Sequence, residues 1–452
     1  MSLFGLWKPE CPVSYREKAW VETRMRWLGA QFGARRLTRC QIVLPTEEFF
    51  PGRFDGTPEA AGRVFERVCQ YMEIPPAEVR LQFAPEEAMR GVAGLYQPGL
   101  VLVKETQLAE PIALVATMAH ELAHHLLIGR RLLEREPDCE FVTDLTPVIF
   151  GLGVFTANAT VLEEHSRMGN VSWRSIGKQG YLPSRVTAYA MALHGWLCGD
   201  EKPAWLSHLR TDAADALTQG LRYLTATEHS LLRPDNLYSG DHAPSASSLI
   251  GQLGARHPAD RVAALWEFAR HDSATAEVVQ AVTERLEDRY PGVRAEAARA
   301  LAQWGPAADS AIPQLADVLE DADEEVRMAA AYAIGRLHGQ AERVVPLLVR
   351  QLDDPLTVNT AAWALGQFGP AAASALPRLL VRLGDELGRG DGAIDYLSYA
   401  IRMISPDPET EIQRLVASCD EETQTQASEL LPESGPIALP GGSTGVRFWA
   451  GG

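Results

Sequence analysis

A chain of 452 residues has room for two or three domains, and a hydrophobic share of 46% suits a globular protein with a sizeable core. A net charge of −17 argues against nucleic-acid or membrane binding along the whole sequence. The six cysteines are scattered, with no Cys-x-x-Cys pair. That argues against a cysteine zinc site and a disulfide framework, and makes a reducing cytoplasm the expected compartment.

The chain opens Met-Ser-Leu-Phe-Gly-Leu-Trp-Lys, without a basic region followed by an apolar run, so no secretory signal is expected. Tyr15 to Phe32 has helical spacing and carries Trp20 and Trp27. Basic residues crowd Arg16 to Arg39 (with Lys18, Arg24, Arg26, Arg35 and Arg36 between), a pattern that reads as a solvated helix face. Gln41 to Leu44 is short and apolar and reads as a strand. Thr57 caps a helix over Pro58 to Met72, with proline at the first helical position. Val79 to Phe83 alternates and reads as a strand. Gly94 to Val103 predicts a hairpin that turns at Gln97-Pro98-Gly99. Residues 1–108 are therefore expected to be a mixed α/β part.

Residues 109–232 read as a helical part of the same domain. The predicted helices after the first are Phe141 to Glu164, Ser184 to Cys198 and Trp205 to Leu224. The run Pro147 to Leu162 is weakly polar, but too short and too rich in small residues to span a bilayer. The first helix holds His120-Glu121-Leu122-Ala123-His124. On a helix, His120 and His124 share a face and both imidazoles can reach one metal ion. Glu121 lies beside them and can take a proton from a water activated by that ion. From Ala113 to Ile128 no other residue carries a formal charge, so the helix is expected to be buried with Glu121 alone in it.

A segment rich in Pro, Asp, Gly and Ser, residues 233–246, reads as a linker. Beyond it the chain repeats. Arg261, Arg294 and Arg327 recur every 33 residues, as do Phe268, Leu301 and Ile334. A fourth unit drifts by one or two residues (Val358, Ala361, Ala362, Leu365), and a weaker one surrounds Ile394 to Ile404. Each unit reads Val-Arg-x-x-Ala-Ala-x-Ala-Leu-x-x-x-Gly, then a turn, then an amphipathic helix such as Ala311 to Leu319. Helix pairs repeated at this length imply a solenoid over residues 247–432. The Gly- and Pro-rich tail, 433–452, reads as a flexible extension that ends with Phe448 and Trp449 near the terminus.

At His120 to His124 the chain resembles the zincin metallopeptidases. The resemblance implies a zinc ion, a substrate-binding strand edge, for which Gly94 to Val103 is rightly placed, and a third ligand from a later helix. A peptide would add to that edge as an extra strand. Glu140 and Asp144 are four apart and look like the Glu-x-x-x-Asp element of the gluzincin branch. Carried over, Glu140 is the third ligand and Asp144 orients an imidazole. Asp144, Glu163, Glu164 and His165 stay open as alternative ligands. A second donor should stabilise the oxyanion, and Tyr181, Tyr189 and His194 are candidates, with Tyr181 placed first.

The repeats resemble HEAT repeats, including the short bacterial variety also seen in bilin lyases. The expected fold is an α+β zincin-like N-terminal domain, mostly helical around the metal site, followed by an all-α HEAT-like solenoid. The expected function is that of a cytoplasmic zinc-dependent peptidase with Glu121 as general base. The solenoid would recruit a protein or peptide substrate, or regulate access to it, by holding a protein partner. No nucleic acid or membrane is expected. The alternative is a non-catalytic interaction scaffold with an inactive zincin-like domain.

Overall fold

Helix α1 (Tyr15–Phe32) begins at a reciprocal cap. The Ser14 hydroxyl accepts from the Glu17 N–H at 3.2 Å, and the Glu17 carboxylate accepts from the Ser14 N–H at 2.8 Å. Helix α2 (Pro58–Tyr71) begins at Thr57, whose hydroxyl accepts from the Ala60 N–H. The computed structural model describes residues 9–50, 54–89, 92–133, 138–159, 182–233, 244–270, 274–389, 393–420, 423–425, 427 and 431, and the backbone of 162–168 and 171–177. The predicted tail and most of the predicted linker lie outside the described residues. The chain divides into two compact units, with the break between residues 242 and 243.

The first unit contains a three-stranded sheet of order β1-β3-β2, made of β1 (Arg80–Ala84), β2 (Gly94–Gln97) and β3 (Leu100–Lys104). β1 runs parallel to β3, and β2 is antiparallel to it, so β2 lies at an edge. Gly99, at φ +76°, takes the left-handed position in the turn between β2 and β3. Both strands pack on α3 (Pro111–Gly129), the helix that carries the two histidines, with Val101 and Val103 fully buried. Among the described residues, α3 is the one helix long and apolar enough to cross a bilayer. Most of it is buried inside this unit, as a core helix would be.

Four expectations need correction. The basic face of α1 is not simply solvated: Lys18 and Arg24 are buried, because each finds a carboxylate, Glu22 and Asp138. Gln41 to Leu44 forms no strand; the Val43 N–H bonds the Gly151 carbonyl at 2.8 Å, and no ladder extends from it. The helix predicted over Phe141 to Glu164 is broken into α4 (Cys139–Ile149), α5 (Gly153–Ala159) and the start of a strand. The break sits at Gly151, at φ +86°, where a Cβ would meet the Gln41 carbonyl at 2.1 Å. Residues 109–232 are also not wholly helical. β4 (Leu162–Met168) pairs antiparallel with β5 (Val171–Gly177), Met168 opposite Val171. The Gly169-Asn170 pair between them is a hairpin signal. Helices α6 (Ser184–Leu197) and α7 (Thr211–Thr227) follow and pack on each other.

The second unit is a row of helices: α8 (Ala246–Leu253), α9 (Pro258–Arg270), α10 (Ala276–Thr283), α11 (Pro291–Trp304), α12 (Ile312–Asp317), α13 (Glu324–Leu337), α14 (Ala341–Gln351), α15 (Val358–Gln367), α16 (Leu376–Leu387), α17 (Ile394–Ile404) and α18 (Pro408–Ala417). The alanine-rich helices α9, α11, α13 and α15 pack each on the next, and α15 packs on α17. Their small side chains, such as Ala297, Ala330 and Ala361, are fully buried and let the helices approach closely.

The repeating arginines join consecutive repeats. Arg261 clasps Asp288 with two bonds of 2.7 and 2.9 Å, Arg294 clasps Asp321 at 2.7 and 2.6 Å, and Arg327 donates to Asp354 at 2.8 Å. Each arginine also donates to a carbonyl six residues before it. Thirty-three residues after Arg327 stands Thr360, and the ladder stops there.

Candidate metal centre

Helix α3 can carry a polar site at its centre because it is enclosed by α2, α4, α5, β2 and β3. His120 and His124 lie one turn apart, with ring centroids 4.9 Å from each other and planes at 85°. Helix α4 starts at Cys139, so Glu140 falls in its first turn, with Asp144 one turn later on the same face. Oε2 of Glu140 lies 3.4 Å from Nε2 of His120 and 3.4 Å from Nε2 of His124. Behind the His120 ring, Nδ1–H donates to Oδ1 of Asp144 at 2.7 Å. Oδ2 of Asp144 accepts the backbone N–H of Leu182 at 2.9 Å. This second bond fixes the carboxylate, which in turn fixes the ring and leaves Nε2 facing Glu140.

The electrostatics follow from these contacts. Burial works against a charged imidazole at His120, but the bonds to Asp144 and Glu140 outweigh it and push its pKa up to about 10. Burial also works against the Glu140 carboxylate, and the two imidazoles pull its pKa down to about 2.

The donor set fits a zinc ion. One ligand atom from each of His120, His124 and Glu140 can be chosen so that all three lie within 4.8 Å of one another. A tetrahedral ion with bonds of about 2.0–2.1 Å holds its donors about 3.3 Å apart, close to both Glu140 separations. Two imidazoles and a carboxylate suit zinc and leave a fourth position for water or substrate.

Glu121 stands next to this cluster. It is 5% exposed, and burial raises its pKa above the usual carboxylate range, while His120 and His124 oppose the rise. The backbone N–H of Tyr96, in β2, also opposes it. Gly94 is what lets β2 come this close: a Cβ there would lie 2.5 Å from Oε1 of Glu121 and 2.6 Å from Cγ2 of Thr117.

The other candidates have different surroundings. The Tyr181 residue and the side chains of Glu163, Glu164 and His165 lie outside the described residues. Tyr189 is in the core, and its hydroxyl donates to Glu22 at 2.7 Å. His194 is buried and bonded to the backbone of Leu37 and Cys40; burial lowers its pKa. Neither Tyr189 nor His194 is free to serve as the oxyanion donor in this arrangement.

Three residues near the site escape a reading based on spacing alone. Tyr96 and His125 meet across β2 and α3, and Asp138 ties α4 to α1. Asp138 accepts from Nε1 of Trp20 at 2.5 Å and from Nε of Arg24 at 2.8 Å, and from a second nitrogen of Arg24. The alternation of β2 could have flagged Tyr96, since it shares a face with Gly94.

HEAT repeats match three overlapping stretches, residues 246–331, 279–358 and 312–390. Among solved structures, the chain is similar to the complex of CpcE and CpcF of phycocyanin lyase from Nostoc sp. PCC7120, at 23% identity over 41% of this chain and 74% of that chain, with a TM-score of 0.32. It is similar to a designed armadillo repeat protein at 19% identity over 41% of this chain and 98% of that one, with a TM-score of 0.31. An engineered protein aligns over 92% of this chain and 93% of its own at 15% identity, with a TM-score of 0.32. No curated protein matches the chain. Residues 246–390 match HEAT repeats, and this part of the chain is a mostly helical array.

Proposed function

We propose that the N-terminal unit is a cytoplasmic zinc-dependent peptidase and that the HEAT array holds its protein substrate or a regulating protein partner. The observation that carries this reading is the convergence of His120, His124 and Glu140 within 4.8 Å, with Glu121 beside them. A purely structural zinc site needs the ligands but has no use for that extra carboxylate.

His120, His124 and Glu140 would hold the ion, and Asp144 orients His120. Zinc bound there supplies Lewis-acid polarisation of a carbonyl and lowers the pKa of a water molecule. Glu121 takes the proton from that water and returns it to the departing amine. A carboxylate beside the ion can serve both halves of that task, accepting the proton and then giving it up. The open edge of β2 would hold the peptide as an added strand.

A second reading is a non-catalytic HEAT-repeat interaction scaffold whose zincin-like unit is inactive. The HEAT match over residues 246–390 favours it, because that match speaks of protein recognition and not of chemistry. The test is metal analysis of the purified full chain, followed by casein hydrolysis with and without a chelator. The peptidase reading expects about one zinc per chain and hydrolysis that stops on chelation and returns with zinc. It also expects Glu121→Gln to keep zinc and lose hydrolysis by about 10²-fold or more. Zinc without hydrolysis supports the scaffold.

A further inference from the structure

β2 is a four-residue edge strand held in its sheet by β3 alone. Short edge strands fray, because half of their backbone groups have no ladder partner. The Lys104 N–H bonds the Ala93 carbonyl at 3.0 Å, so Gly94 and Tyr96 occupy the alternate positions whose N–H groups point away from β3. Gly94 and Tyr96 also share the strand face that lies against α3. The Gly94 backbone meets Glu121, and one helical turn further along α3 the Tyr96 hydroxyl meets Nδ1 of His125 at 3.2 Å. The two rings pack edge to face, with centroids 5.8 Å apart. The other nitrogen of His125 lies 3.5 Å from a carboxylate oxygen of Glu78, just ahead of β1. His125 therefore connects the metal helix to both sides of the sheet.

We propose that Tyr96 and His125 are positioning residues: their contact fastens the edge strand to the metal helix and so seats Glu121 under Gly94. Neither residue need touch substrate. Without their contact, β2 keeps its bonds to β3 and the Tyr96 N–H bond to Glu121, and the wall that fixes the Glu121 rotamer loosens. The catalytic consequence rests on the peptidase reading; the seating of the strand does not.

The test uses the full chain loaded with zinc and the variants Tyr96→Phe, His125→Ala and His125→Gln. Hydrogen exchange over residues 92–97 is read by mass spectrometry. Loss of one hydrogen bond in Tyr96→Phe and His125→Ala should speed exchange there by roughly tenfold. His125→Gln, which can still bond the Tyr96 hydroxyl, should recover much of the protection. Zinc affinity, read by competition with a chelating dye, should stay within about twofold, because the ligands and Asp144 are untouched. With casein as substrate, kcat/KM should fall and recover in the same order as exchange, because β2 both walls Glu121 and is the proposed substrate edge. Unchanged exchange in both Tyr96→Phe and His125→Ala overturns the inference, whatever the activity. So does slowed hydrolysis that His125→Gln fails to restore while it restores exchange. If exchange responds as stated and the wild-type chain cleaves no casein, the seating stands and the peptidase reading falls.

Discussion

Asp144 accepts the Nδ1–H of His120 at 2.7 Å and is itself held by the Leu182 backbone N–H at 2.9 Å. This chain of two bonds links the start of α6 to the candidate metal ligand. Asp144→Asn places an amide between two N–H donors, so one of the two bonds must be lost or reversed. Zinc affinity should fall about 10- to 100-fold, the usual loss when a ligand's outer partner is removed. Glu140→Gln should cost more, since it removes a charged donor from the set itself. Competition against a chelating dye measures both. Equal affinity in Asp144→Asn and wild type would show that His120 is not oriented by this carboxylate in the loaded protein.

Gly94 faces Glu121 with no space for even a methyl group. Gly94→Ala would place Cβ 2.5 Å from the carboxylate oxygen and 2.6 Å from the Thr117 methyl. Either the strand retreats or Glu121 changes rotamer, at a cost of about 1–3 kcal/mol for overpacking. On the peptidase reading, zinc binding should persist while casein hydrolysis falls at least tenfold. Thermal unfolding separates the two effects. A variant as active as wild type would mean that the position of Glu121 against β2 has no catalytic weight.

His120, Glu121 and His124 are legible in the sequence because their relation is local: one helical turn determines it. Glu140 and Asp144 are legible as an i,i+4 pair on one helix face, and their roles come only from the zincin resemblance. Their meeting with the histidines depends on α4 packing across α3, which no spacing reveals. The Tyr96–His125 contact depends on where an edge strand lands, so it too is invisible before the fold. The hairpin of β4 and β5 is a different case. Gly169-Asn170 is a turn signal within the chain, but Leu162 to Met168 is mostly polar and lacks the alternation that would set a strand apart from a helix. In the solenoid the arginine period is plain, and Asp288, Asp321 and Asp354 share it. Their pairing becomes apparent only when consecutive repeats lie side by side and bring together residues 27 apart in the chain.

The arginine ladder makes the solenoid sensitive to acid. Burial works against the Asp321 carboxylate, but the Arg294 guanidinium and the Asp323 N–H hold its pKa below the ordinary Asp range. The folded pKa is depressed, so the stabilisation is present above about pH 3.9, the unfolded value, and is lost as pH falls through the folded one. Asp321→Asn should lower stability by about 2 kcal/mol at neutral pH, the scale of hydrogen bonds to a charged group. Its deficit against wild type should shrink as the pH drops below about 4. Denaturant unfolding followed by circular dichroism at both pH values checks this. A deficit that does not change with pH would assign the loss to packing instead of charge.

Lys18 and Glu22 form an ion pair with 0% exposure on both side chains. Lys18 donates to Oε1 of Glu22 at 2.7 Å, and the Tyr189 hydroxyl donates to the same oxygen at 2.7 Å. Oε2 accepts the Leu231 N–H at 2.8 Å. One carboxylate thus joins α1, α6 and the segment after α7. Removing it by Glu22→Leu leaves a buried ammonium and a buried hydroxyl unpaired, and should cost about 3–5 kcal/mol. Lys18→Met with Glu22→Leu removes both charges at similar volume and should recover most of that loss, since the desolvation of both ions is relieved. Tyr189→Phe should cost about 1 kcal/mol, because Glu22 keeps its other two partners. Urea unfolding of the three variants measures these differences. If the double variant is no more stable than Glu22→Leu alone, the buried pair contributes through specific bonding and not merely by neutralising itself, and the bonds from Tyr189 and Leu231 to Glu22 carry the stability of this junction.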